Sequence, residues 1–344
     1  MGRIISYNRR NIASKRFKFL FYEVVPIFLL IFLFSILEWI ALANKTSPLF
    51  KMLFYLIRAL VIFLAVIFVL FISNRIKAKN SQRVEKELAP HLGYLRLYKM
   101  TKKNYKYQLL YSSLLFFLIL IPLEFVFSIG LPETMPFRAF SLAFVNDDNF
   151  MLFIFITIII RICISFSEET VFRGLIAKRG SEHFNKVSAV MISTFCFAFV
   201  EIFINPLFFI VSPYFIVLWF IKSFIIGLVF SLTIIRRKWI LPLIIAKTFD
   251  SILSSVIVWD FLRGGNLVLP LIIIYGFLLV ISLIFLILQF SRVKESLQIG
   301  INMIKSYLRI DNKLEESSGD RIFRILFDIF LAFLFFLFGM LITV

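Results

Sequence analysis

Apolar residues along this chain come in long blocks rather than at every second or fourth position, and charged residues gather between the blocks. An α-helix rising about 1.5 Å per residue needs about 20 apolar residues to cross a hydrocarbon core about 30 Å thick. Nine blocks reach that size: 19–43, 53–74, 108–131, 150–177, 187–204, 214–235, 239–259, 267–290 and 325–344. In lipid a single block satisfies its own backbone only as a helix, so the pattern predicts an all-α, polytopic transmembrane helical bundle. Three regions follow from it: N-terminal helices over 1–149 with a basic loop at 75–107, a core over 150–259, and C-terminal helices over 260–344 with a polar loop at 291–324. The connector 75–107 mixes charge with Leu88, Leu92, Leu95 and Leu97, which suits either an amphipathic surface helix or a solvated link. The polar loop at 291–324 suits a helix followed by a flexible link.

Charge then orients the blocks. Of 38 Lys and Arg, 29 fall in 1–18, 75–107, 178–186, 236–238 and 291–324, whereas the alternate loops hold Lys45, Lys51, Arg138 and Arg263 only. The positive-inside rule places the first set in the cytoplasm, with the amino terminus inside and the carboxyl terminus outside. The net charge of +18 therefore faces membrane headgroups, and no nucleic-acid partner is implied. The basic start has no cleavage-site pattern after its first apolar block, so that block is expected to remain as a spanning helix.

Composition narrows the chemistry. A mean hydropathy of +0.95 with 61% hydrophobic residues exceeds what a water-soluble core holds, so the expected solvent is lipid. The 46 Phe, with abundant Ile, Lys and Asn, suit an AT-rich genome and a bacterial cytoplasmic membrane. Cys163 and Cys196 both lie inside apolar blocks, which leaves no disulfide framework or Cys-rich metal site. No Gly-rich phosphate loop is present, so nucleotide-driven transport has no support.

Ionisable groups at membrane depth cost enough to mark function unless they lie near helix ends. Glu23, Arg58 and Asp328 lie near block ends, where interfacial positions are expected, and Glu38, Glu124 and Arg161 are deeper but isolated. A denser set spans four consecutive blocks: Glu168, Glu169, Arg173, Glu201, Lys222, Lys247 and Asp250. These are expected to meet in one protein-lined chamber, since facing lipid separately costs more than pairing. Glu169 and Arg173, four apart, share a helical face as a structural ion pair, and Glu168 points about 100° away. With no glycine or proline before Gly174, the helix is expected to hold these directions.

Glu168, Glu169, Arg173 and Gly174 form an EExxxR pattern ending a transmembrane helix, and here the chain resembles the CAAX-protease and bacteriocin-processing family (CPBP, or Abi) of membrane-embedded endopeptidases. Phe197 to Glu201 stand where that family has FxxxH, Phe224 and Gly227 resemble its next helix, Arg236, Arg237, Lys238 and Pro242 its basic turn, and Ala246 to Asp250 its HxxxN or HxxxD. The resemblance covers roughly 150–255. It implies that the first Glu, with the second-motif His, activates water while the third-motif His and Asn stabilise the oxyanion. Glu201 and Ala246 (or Lys247, one residue along) replace those histidines, and the chain's own His91 and His183 fall in loops.

The resemblance leaves two main readings. In the first, the relative is non-catalytic, its active site is degenerate, and it acts by binding another membrane protein. In the second, Glu168 and Glu201 form a carboxylate pair that cleaves membrane-associated or prenylated peptides, with Lys247 toward the oxyanion and Asp250 orienting it. No cofactor is required, although three carboxylates also suit a divalent cation. A small transporter is a minor third reading, without the inverted repeats such proteins show.

Overall fold

The computed structural model describes residues 9–42, 47–80, 89–130, 149–203, 213–266, 268–309 and 317–343, and among them the regular elements are all helices. α1 occupies 9–42 as Arg9–Phe19, a wide π turn at Leu20–Val24, and Val25–Leu42; α2 is Pro48–Asn80. The short α3, Pro90–Leu95, tightens into Arg96–Tyr98; α4 runs from Tyr105–Leu115 through a π turn at Phe116–Leu120 to Ile121–Gly130. α5 is Phe150–Glu169, prolonged through a π segment, Thr170–Arg179, into Gly180–His183. Then follow α6 (Lys186–Phe203), α7 (Pro213–Arg237), α8 (Leu241–Leu262), α9 (Val268–Leu288), α10 (Phe290–Leu308) and α11 (Ser318–Thr343).

Eight of these helices are long and apolar enough to cross a membrane. The ninth expected block, 325–344, lies on α11, whose last side chains fall outside the described residues. So do the side chains of Glu38 and Arg138, Leu88 in the connector, and most of the expected link before Ser317. The outer surfaces are studded with large apolar side chains, such as Ile273, Phe277 and Ile287 on α9, which in water would be an aggregation surface and in lipid is the solvated one.

Burial ranks the helices. Two thirds of the Lys186–Phe203 span is buried (67%) against 17% of Val268–Leu288, so α6 is the centre and α9 the rim. α6 packs on α7, on α11 and on the π segment of α5; α5 also packs on α2 and α8, and α8 on α4. One continuous apolar core joins Phe19, Val66, Leu175, Phe197, Phe230, Ala246 and Phe335.

Local chemistry sets the ends. Asn149 caps α5, its side-chain oxygen accepting from the Met151 and Leu152 amides at 3.0 and 3.2 Å. α7 stops where Lys238 takes a left-handed conformation (φ 57°), and α8 stops before Gly264 (φ 87°), a conformation that favours glycine.

The structure corrects one expectation and partners two buried acids. Residues 178–183, expected as loop, continue α5, so Arg179 and His183 are held on a helix. Glu23 and Asp328, expected near block ends, are buried against other helices. Arg179 forks onto Glu23 with two bonds of 2.8 Å, His183 Nε2 lies 3.2 Å from the same carboxylate, and Arg16 meets Asp328 at 2.8 Å. These pairs tie α1 to α5 and α11, because a charge leaving water inside a bundle needs a partner from another helix.

Candidate functional site

The charges of α5 split at Glu168 and Glu169. Glu168 forms a short salt bridge with Lys247 of α8, and Glu201 Oε1 of α6 stands 3.9 Å from the same ammonium. Three helices thus converge on one cation. Glu169 turns the other way, and Arg173 Nε lies 3.3 Å from its Oε2, both side chains being fully buried.

Phe197 sits between the two systems. Its ring centroid is 4.1 Å from the Arg173 guanidinium carbon and 4.5 Å from Lys247 Nζ. Phe230 and Phe172 stand 5.5 and 5.7 Å from the same guanidinium. None of the Arg173 side-chain nitrogens makes a hydrogen bond, so ring faces and the Glu169 charge are what hold it. The first position of the FxxxH-like stretch therefore spaces two cations onto two carboxylates.

Exposure separates roles. Glu168 and Glu201 keep 25% and 28% of their side-chain surface, Lys247 keeps 14%, and Glu169 and Arg173 keep none. Of these five residues, Glu168, Glu201 and Lys247 keep exposed surface. Asp250, buried on α8, lies on the same helix as Lys247, less than one turn away.

Lys222 does not join this group. It pairs with Glu124 of α4 and lies 4.5 Å from the Trp219 ring centroid, which corrects the expectation of a single chamber for every charge on α5 to α8. Arg161, expected to pair with another helix, donates to Ser255 Oγ at 2.9 Å. His91 packs edge-on against Phe71. Among the described residues no group of three His, Cys, Asp or Glu side chains is disposed to hold a metal ion; between Glu168 and Glu201 the cation is Lys247.

Two functional neighbours escaped the sequence reading. The Tyr94 hydroxyl donates to the Thr170 carbonyl at 2.9 Å, and the Tyr98 and Thr170 hydroxyls are 2.7 Å apart. The Ile240 amide donates to the Leu97 carbonyl at 3.1 Å, so the connector is pinned to both α5 and the start of α8. Burial pushes the Tyr98 phenol from its ordinary 10.0 up to about 12; the nearby Glu169 charge adds to this, against the hydrogen bonds from Thr170 and Tyr94. The available signal was two tyrosines one helical turn apart after Pro90.

Fold and site together define an all-α, multi-pass membrane protein with a charged, protein-lined site made by α5, α6 and α8. Residues 149–253 match the Rce1-like family model, described as Type II CAAX prenyl endopeptidase Rce1-like. The match begins at the cap of α5 and includes Glu168, Glu169, Arg173, Glu201, Lys247 and Asp250. No curated protein and no solved structure matches the chain.

Proposed function

We propose that this chain uses its Rce1-like bundle to bind a partner within the membrane, another membrane protein or a membrane-associated peptide, without cleaving it. The carrying observation is Lys247, whose ammonium is bridged to Glu168 and 3.9 Å from Glu201. Hydrolysis requires a carboxylate with a lone pair free to take a proton from water, and a place for that water beside it. Here Glu168 Oε2 is engaged by an ammonium, and the same ammonium lies toward Glu201, where a shared water would stand. The imidazole that would act as acid and base has no counterpart among these groups.

A second reading rests on the partial exposure of the two carboxylates, which keep 25% and 28% of their side-chain surface. Displacement of Lys247 toward a substrate carbonyl would leave Glu168 and Glu201 sharing a water, with the ammonium facing the oxyanion and Asp250 orienting it. Glu168→Gln divides the readings, because it removes the proton acceptor and keeps the shape. In cells lacking the wild-type chain, Glu168→Gln at normal protein level is expected to restore the wild-type phenotype. Purified wild-type protein is expected to leave prenylated and unmodified membrane peptides intact. Cleavage that disappears in Glu168→Gln establishes the second reading and overturns the first.

A further inference from the structure

We infer that α10 is a docking surface for anionic phospholipid on the cytoplasmic leaflet. Phe290, Leu297, Ile301 and Leu308 are all exposed, and their spacings of seven, four and seven residues put them in one line along the helix. Lys294, Lys305 and Arg309, exposed as well, run along one flank of that line, and Glu295 is the one acid on the helix. An apolar stripe bordered by basic residues is the pattern of a helix lying at the headgroup boundary.

The bundle fixes which way this stripe points. At one end Arg236, on the last turn of α7, binds Glu295 at 2.5 Å and Ser296 at 3.2 Å. Toward the other end Tyr307 donates to Asp328 at 3.0 Å, while Arg324 and Arg321 donate to the Tyr307 and Leu308 carbonyls at 2.9 and 3.2 Å. Midway, Gly300 faces Leu232 of α7. Arg236 and Asp328 lie at those ends of α7 and α11 that the Lys/Arg distribution assigns to the cytoplasm. The helix is thus a strap across the cytoplasmic end of the bundle, with its polar anchors turned inward and its apolar line left for acyl chains.

Charge complementarity selects the lipid. Acyl chains of any phospholipid satisfy Phe290, Leu297, Ile301 and Leu308, but only an anionic headgroup answers Lys294, Lys305 and Arg309. Each basic residue in contact with an anionic surface is worth about a fivefold preference.

Both native cysteines are buried, so a thiol-reactive fluorophore can be directed to a new cysteine at Leu297→Cys in the full chain. The labelled protein is reconstituted in vesicles of phosphatidylcholine and phosphatidylglycerol in which one lipid or the other carries a nitroxide quencher. Labelled phosphatidylglycerol is expected to quench several-fold more strongly than labelled phosphatidylcholine. That ratio should fall toward one in the combined variant Lys294→Gln, Lys305→Gln, Arg309→Gln and at high salt, with the fluorophore still in lipid. Equal quenching by both lipids overturns the charge selection. No quenching by either lipid overturns the docking surface, whether the fluorophore then reports water or contact with a second copy of the chain.

Discussion

Arg173 has no exposed surface and no hydrogen bond from its guanidinium, so the Glu169 charge and three aromatic rings are all that compensate it. Removing one member of a buried ion pair costs about 3–5 kcal/mol, because the other charge is left without a counter-charge. Arg173→Ala is therefore expected to yield little monodisperse protein by size exclusion in detergent. Glu169→Gln combined with Arg173→Met should recover much of the yield, since both charges then leave together. Wild-type yield of Arg173→Ala would show that the pair holds nothing. The EExxxR spacing made this pair legible, as well as the separate direction of Glu168, because both follow from the pitch of one helix. The partner of Glu168 was not legible. Lys222 and Lys247 are equivalent as letters in apolar blocks, and the choice between Glu124 and Glu168 belongs to the packing of α4, α7 and α8, which leaves no local signature.

The π segment Thr170–Arg179 is bonded from outside its own helix. The Thr170 carbonyl accepts from Tyr94 and the Phe172 carbonyl from Ser193 Oγ at 2.7 Å, so carbonyls at its start are engaged from α3 and α6. Such bonds satisfy backbone groups that a wider turn leaves poorly paired, and the helix passes into the π segment without a break while keeping the Glu169–Arg173 pair. Gly174 is the position that lets the connector approach: a Cβ there would stand 2.7 Å from the Tyr94 hydroxyl oxygen. Gly174→Ala is expected to push Tyr94 off Thr170 and destabilise the docked connector by about 1–3 kcal/mol, read as faster proteolysis between α2 and α4. The same docking should depend on pH. A phenol whose folded value is raised adds stability that is whole below 10.0 and is lost as pH climbs through about 12. Phenolate absorbance should show a group ionising near the top of that window that is missing in Tyr98→Phe. Helix existence was legible from block length alone, and the nine blocks lie on the helices described. The connector was not, since its alternation of Leu with charge fits a surface helix and a solvated link equally well, and only contact with Thr170 decides.

At the scale of the molecule, the asymmetry of Lys and Arg and the odd number of blocks predict that the two ends of the chain lie on opposite faces of the membrane. A reporter active only outside the cytoplasm, fused after Val344, is expected to be active, and one active only in the cytoplasm to be silent there; the reverse pattern would remove one span. The Rce1-like stretch stands in the middle of this arrangement, and its buried polar groups look outward for partners. Arg179 relies on Glu23 of α1, Thr170 on Tyr94 and Tyr98, and Ser188 on Arg16, 3.1 Å away. Residues 149–253 transplanted into a foreign protein would arrive with the Arg179 guanidinium reduced to Glu182 alone and the Thr170 and Ser188 hydroxyls without Tyr98 and Arg16. A chimera that carries this stretch without its flanking helices is therefore expected to fold less stably than one that carries them, and the motif-bearing segment is cargo of a larger fold.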